Sequence, residues 1–260
     1  MGKKRIPIKV SIDPQHTLKQ IEAQLNTQAG WRWIGWLEAA RFCLQHDIAT
    51  QKGIYFASRS VYMNVNFSNA LVRAQLMAKA RKLSEADTKK QIPGWIEEVF
   101  HRYAAGWKPW NAAAQYMARQ KAYPQALAWN QKSIDLQPNF YNHWERVKIY
   151  RQMKNQVAAE RTRKKAIRIG TKAQINQQGF GFVWSGRPRQ AIEFFEMAVA
   201  KYPKDGDVCD NLGDVYARTG QKEKAIETLK KALTLKQSSA SRANSLKWLK
   251  KLGVDYKTEK

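Results

Sequence analysis

Four groups of residues have types and spacings that could do chemistry. Asp207, Asp210 and Asp214 recur at intervals of three and four, one face of a helix. Paired carboxylates can run acid–base reactions, but only with a partner base or a metal, and the sequence supplies neither at a recognisable distance. They are expected to form a solvated helix face near a helix N-terminus, or the acidic end of a binding surface. Gly179-Phe180-Gly181-Phe182 brings two glycines close together, as a phosphate loop would. That loop requires a preceding strand, which is missing. Arg161, Arg163, Lys164, Lys165 and Arg168 lie together in one helical stretch, continuing towards Lys172. Such a patch is either a solvated face or a contact for acidic protein, nucleic acid or anionic lipid. His16, His46, His101 and His143 stand apart from one another and from Cys43 and Cys209, without metal-ligand spacing. They are read as surface or half-buried histidines, and the cysteines as buried thiols on apolar helix faces. No dinucleotide, P-loop, zinc-protease or nucleophile-elbow motif occurs, so no catalytic residue, cofactor or metal is assigned.

The elements that must position these residues are helices. Residues 3–13, KKRIPIKVSID, alternate Ile6, Ile8 and Val10 with polar residues and read as a short strand without a partner, limited to an edge by Pro7. Residues 14–25 read as a helix capped by Asp13. From Trp31 the apolar period is helical throughout. Trp33, Trp36, Leu37, Ala40, Cys43 and Leu44 define one amphipathic helix, and residues 51–63 its partner. Asn66 opens the next, and residues 84–105 are expected to be interrupted at Ile92-Pro93-Gly94 and closed by Gly106.

The pattern also repeats. Trp36 and Ala39-Ala40 recur 74 residues later as Trp110 and Ala113-Ala114, and NFSN at Asn66 recurs 73 later as NFYN at Asn139, which suggests that two hairpins were duplicated together. Small residues then recur at Ala126, Ala159, Ala191 and Ala225, and again at Ser133, Ala166, Ala198 and Ala232, at intervals of 33, 32 and 34 in both series. Gly186 and Gly220 are 34 apart, as are Gly179 and Gly213, so Gly179 is expected to be a packing residue. Pro138 and Pro203 close units. Repeats of this length are pairs of antiparallel helices that bury their faces by stacking, and three or more can stand without further support.

Residues 209–235, CDNLGDVYARTGQKEKAIETLKKALTL, place Leu212-Gly213, Tyr216, Gly220, Ala225 and Ala232 in the order of the W-x2-L-G-x2-Y signature, with Cys209 at the tryptophan position. This resembles a tetratricopeptide repeat. The resemblance implies an all-α fold, an α-solenoid of helix hairpins, with four repeats over 107–239, two divergent hairpins over 31–106, an N-terminal strand and helix over 1–30, and a capping helix and tail over 240–260. It implies that the first helix of each repeat lines a concave groove that takes an extended peptide or protein partner. Carried over by repeat spacing, that groove would present Asn111, Gln115 and Arg119, then Tyr141, Trp144, Lys148 and Arg151, then Asn176, Phe180 and Trp184, and then Asp210, Asp214 and Arg218. The carboxylate-clamp pattern of such proteins is not reproduced; Asn211 alone suggests it.

A second resemblance covers the front. Pro7 to Val10, Leu18 to Leu25, Ala39 to Leu44 and the NFYN of Asn139 to Asn142 look like the helical tail of a bacterial domain-of-unknown-function family. In that family a β-rich domain precedes the tail; that domain is absent here, and the family offers no catalytic residue.

Net charge is +25 in 260 residues, concentrated in the middle: residues 105–172 hold 14 basic and 3 acidic side chains. The function expected is a non-catalytic interaction scaffold. The competing expectation is a basic helical-repeat protein that binds nucleic acid through Arg161 to Arg168. No apolar run is long enough to span a bilayer, so the chain as given is expected to be soluble and cytoplasmic, or extracytoplasmic if an upstream signal precedes it.

Overall fold

A computed structural model describes residues 13–256. The expected strand lies outside them but for its last residue, and so do the last four residues of the tail. The described residues form fourteen α-helices and one short 3-10 turn, with no strand; a single isolated bridge joins Asp205 to Lys236. The chain divides into two compact units, Met1–Gln137 and Pro138–Lys260. The division falls inside the stretch read as one four-repeat array, after its first hairpin.

The first unit contains α1 (Pro14–Leu25), the 3-10 turn Gln28–Trp31, α2 (Trp33–His46), α3 (Thr50–Met63), α4 (Phe67–Ala80), α5 (Glu85–Arg102), α6 (Trp107–Arg119) and α7 (Tyr123–Leu136). Helices α2 and α3, α4 and α5, and α6 and α7 pack as hairpins, and α3 also packs on α4. Asp13 caps α1 as expected, its carboxylate accepting from the Gln15 amide at 2.9 Å. Leu18, Leu25, Leu37, Cys43, Phe56 and Leu76 form one core cluster.

Helix α5 corrects two expectations. It runs unbroken through Pro93, because Ile92, Ile96, Val99 and Phe100 bury a continuous apolar stripe on both sides of the proline. Burying each large apolar side chain is worth roughly 1.5–3 kcal/mol, so together they outweigh the roughly 3 kcal/mol that a proline costs inside a helix. Gly106 does not close α5 but precedes α6 as its N-cap, and Ala104 makes the left-handed turn instead.

The duplication is visible in hydrogen bonds. Ser60 donates to the Trp33 carbonyl at 2.9 Å, and Ser133, 73 residues later, donates to the Trp107 carbonyl at 2.9 Å. Asn66 and Asn69 form a reciprocal capping box at the start of α4, as Asn139 and Asn142 do at the start of the corresponding helix of the second unit. Ser133 is thus small for a reason beyond packing: its hydroxyl ties the two ends of a hairpin.

The second unit contains α8 (Phe140–Gln152), α9 (Gln156–Ile169), α10 (Lys172–Trp184), α11 (Pro188–Lys201), α12 (Gly206–Arg218), α13 (Lys222–Thr234) and α14 (Ser239–Lys251). Helices α8/α9, α10/α11 and α12/α13 are hairpins, and α14 packs on both α12 and α13. The hairpins close because their helices approach at glycine and alanine. A Cβ on Gly213 would lie 2.6 Å from the Leu229 side chain, and one on Gly179 would lie 2.4 Å from the Phe195 ring. Gly179 is therefore a packing residue, as its spacing predicted. Ala159, Ala191 and Ala225 are fully or almost fully buried opposite. Burial pushes the Cys43 and Cys209 thiols up, away from the reactive thiolate.

The turn inside each of the last four hairpins holds one residue in the left-handed region. Lys121, Lys154, Gly186 and Gly220 fill that place with φ of 60, 60, 67 and 75°, at intervals of 33, 32 and 34, in step with the alanines. A lysine in this conformation carries a steric penalty that glycine avoids. Lys154→Gly is expected to raise stability by up to about 1 kcal/mol in urea unfolding of the full chain. Gly213→Val is expected to lower it by about 2 kcal/mol or more, since both γ-methyls enter space that Leu229 fills; an unchanged midpoint would show that the hairpin can open there without loss.

Candidate functional site

The residues assigned to a binding surface from the sequence separate into groups. In the first unit, Asn111 is half-buried and accepts a hydrogen bond from Asn130 of the same hairpin at 3.3 Å. Gln115 is half-buried, and Arg119 is exposed in the last turn of α6. In the second unit, Trp144 is core, 6% exposed. Its ring stacks parallel to Phe140 at 5.9 Å and meets Phe182 and Phe194 edge-on at 5.8 and 5.2 Å. Trp144 therefore fixes α8 against the next hairpin and is not presented to a partner.

Around that core lies a surface of aromatic rings and cations. Trp184, in the last turn of α10, is 79% exposed, and its ring stacks on half-buried Phe180 at 6.0 Å. Phe180 is held from behind by Phe195, edge-on at 5.3 Å. Tyr141 is exposed on α8. The Arg151 guanidinium sits 5.8 Å from the Trp144 ring centroid, and partial burial pulls its pKa down. Arg187 lies 5.0 Å from the Phe182 centroid. Lys148 is half-exposed and ion-paired with Glu145. The carbonyl oxygen of the Asn176 side chain is buried on α10 without a hydrogen-bond partner.

The acidic trio is not a solvated face. Asp210 and Asp214 are 3% and 5% exposed. Asp210 accepts from the Ser245 hydroxyl at 2.6 Å and from the Asn244 amide at 3.0 Å, so it anchors α14. Asp214 pairs with Arg218 at 2.9 Å, and that guanidinium also lies over Trp248 of α14. Asp207 accepts from the Ser238 backbone amide at 2.8 Å and from Lys172 of α10 at 3.2 Å, while Asp205 takes the same lysine at 2.8 Å. Burial would raise the Asp207 carboxyl, but the Ser238 amide, the Ser241 and Ser238 hydroxyls and Lys172 outweigh it and hold it at about 2. Asp210 goes the other way: burial, with Asp214 and Asp207 adding to it, raises it to about 6 against the hydrogen bonds of Ser245 and Asn244. All three acids already have partners within the fold: Ser238 and Lys172 for Asp207, Asn244 and Ser245 for Asp210, and Arg218 for Asp214. That was illegible from spacing alone.

The basic helix divides as well. Arg163 is 9% exposed and bridges Glu160 of its own helix to Glu193 of α11, both at 2.8 Å. It is a structural clamp rather than part of a surface patch. Arg161, Lys164, Lys165 and Arg168 remain exposed. His143, expected at the surface or half-buried, is 3% exposed beneath this helix. Burial and the nearby Lys165, Arg146 and Arg168 push its pKa down to about 4. Among the described residues, no group of three or more His, Cys, Asp or Glu could hold a metal, and no helix is long and apolar enough to cross a membrane.

The tetratricopeptide repeat family matches residues 185–247, the span from the turn before α11 to the middle of α14. The chain is TPR-like in its repeats. No curated protein matches the sequence. Among solved structures the chain is similar to the APC/C hetero-tetramer Cut9-Hcn1, at 16% identity over 92% of this chain and 46% of that one, with a TM-score of 0.35. It thus spans about half of that chain's length. It is also similar to YrrB, described as a TPR protein with an unusual peptide-binding site, at 13% identity over 88% of this chain and 96% of that one, TM-score 0.32. A tetratricopeptide repeat protein from Parabacteroides merdae gives 10% identity over 91% and 92%, TM-score 0.38. No residue or partner is carried over from them.

The state of Asp210 generates a pH prediction. Its folded pKa lies above the unfolded value, so the stability it contributes is full below about pH 4 and is lost as pH rises through about 6. The loss is on the order of 2–3 kcal/mol. Asp210→Asn removes the titrating proton. The stability of the native chain relative to this variant is therefore expected to fall between pH 4 and pH 7 in urea titrations; a pH-independent difference would mean that Asp210 ionises without strain.

Proposed function

We propose that the chain is a non-catalytic protein-interaction scaffold, and that the second unit takes an extended peptide on the face formed by Tyr141, Phe180 and Trp184. One observation carries this reading: Trp184 is a large aromatic left 79% exposed, with its ring stacked on Phe180 at 6.0 Å. An exposed indole without a protein partner costs hydrophobic free energy that a bound side chain recovers, and tryptophan is enriched at interface hot spots. Arg151 and Arg187 of the same unit lie over the core rings Trp144 and Phe182 and add positive charge to it. The ligand that fits is a peptide with an apolar or aromatic side chain flanked by carboxylates, attracted by the net charge of +25. Asp210 and Asp214 take no part, since both are buried in the seat of α14.

A nucleic-acid surface on α9 is the weaker reading. Sequence-tolerant binding of single strands combines cations with rings on which bases stack, and the sequence of α9, QVAAERTRKKAIRI, holds no aromatic residue.

A random peptide library selected on the immobilised full chain at physiological salt tests the proposal. Selected peptides are expected to be enriched in aromatic and acidic residues. Trp184→Ala is expected to weaken them tenfold or more, while Tyr62→Ala, at another exposed aromatic on the first unit, leaves them unchanged. Peptides that bind Trp184→Ala as tightly as the native chain would move the interface elsewhere.

A further inference from the structure

Helix α3, in the first unit, presents the rings that α9 lacks. Tyr55, Arg59 and Tyr62 recur on it at intervals of four and three, one face of a helix, and the two tyrosines are 59% and 68% exposed. The opposite face, Gly53, Phe56, Ala57 and Ser60, is buried, so this stripe is what the hairpin leaves to solvent. Behind it stands Trp36 of α2. Its indole N–H is donated to the Gly30 carbonyl at 2.9 Å, which orients the ring. Trp36 meets Tyr55 edge-on at 6.0 Å, and the Arg59 guanidinium lies 6.0 Å from the Trp36 centroid and 5.6 Å from that of Tyr62. The four side chains make one band in the order ring, ring, cation, ring.

The charge around this band has one sign. No Asp or Glu occurs over residues 48–84, a run that contains all of α3 and α4 together with Lys52, Arg59, Arg73, Lys79, Arg81 and Lys82. Glu38 of α2 is paired with Arg41, and Glu22 of α1 with Lys52. Arg59 has no carboxylate partner among the described residues, and its contacts with the two rings leave its charge uncancelled.

The ligand that fits carries flat faces and negative charge in alternation. Tyr55 and Tyr62, seven residues apart, are separated by about 10 Å along the helix, close to three rises of about 3.4 Å between stacked nucleotides. Every nucleotide supplies both a ring face and a phosphate, whatever its base. A peptide supplies both only where aromatic and acidic residues happen to adjoin. The bases must be unpaired, because a duplex conceals the faces on which the rings would stack.

We propose that α3 binds a single-stranded nucleic acid, with bases stacked on Tyr55 and Tyr62 and an intervening phosphate against Arg59. The site lies wholly in the first unit and is independent of the peptide face around Trp184.

The test is fluorescence anisotropy of a labelled short single-stranded oligonucleotide titrated with the full chain at physiological salt, repeated with an abasic strand of equal length and with deoxyribose and ribose backbones. Saturable binding is expected, tenfold or more tighter than of the abasic strand, and the unlabelled single strand should displace it better than a duplex of the same sequence. Tyr55→Ala combined with Tyr62→Ala should weaken binding tenfold or more with an unchanged thermal transition, and Tyr62→Ala alone threefold or more. Arg59→Gln should flatten the slope of log affinity against log salt by about 0.7, the value for one phosphate contact on a single strand. Trp184→Ala should bind the oligonucleotide as tightly as the native chain, so that this reading and the peptide reading fail separately. Equal binding of the abasic strand, better displacement by the duplex, or loss of binding in Arg161→Ala combined with Lys165→Ala but not in the tyrosine variants would reduce the contact to net charge and overturn the proposal. An acidic or proline-rich peptide that binds these tyrosines where the oligonucleotide does not would overturn it in favour of a protein partner.

Discussion

Everything in this chain depends on how closely two helices can lie within a hairpin. At Gly179 against Phe195 and Gly213 against Leu229 there is no room for a single added carbon, and the facing alanines are fully buried. Close approach lets the second layer of side chains, Phe194, Phe195 and Leu229, bury completely, which is where the hydrophobic stabilisation is concentrated. It also forces a tight turn, and the last four hairpins each make it with one left-handed residue. The period of the array is therefore set twice, by small residues in the helices and by a backbone conformation between them.

These two signals were unequally legible. The alanine and glycine spacing in the helices was readable because few other residues fit there. The turn was readable at Gly186 and Gly220 but hidden at Lys121 and Lys154, where the same conformation is held by a residue type that announces nothing. Pro93 misled in the opposite sense, since a local breaker was overruled by the burial of Ile92, Ile96, Val99 and Phe100. Ser133 was read as small, and its hydrogen bond to the Trp107 carbonyl could be recognised only once Ser60 and Trp33 showed the same geometry.

Surface and core were harder to separate. A helix periodicity gives the face a residue occupies but not what covers it. Repeat spacing put Trp144 and Trp184 on the same groove, yet one is wrapped by three phenylalanines while the other stands in solvent. Asp210 and Asp214 looked like a charged exterior because their neighbour, α14, follows some thirty residues later and is not coded by the repeat. Arg163 belonged to a basic run, yet Glu193 of the following repeat withdraws it from the surface.

The seat of α14 on Asp210 has a bearing on assembly. Stacked hairpins are prone to add further hairpins end to end, because every exposed face resembles the one inside. Here the terminal face contains a carboxylate that Ser245 and Asn244 must solvate. A hairpin borrowed from another molecule would bring neither donor and would have to cover a bare charge. The carboxylate thus favours the chain's own α14 over any helix that lacks those two donors.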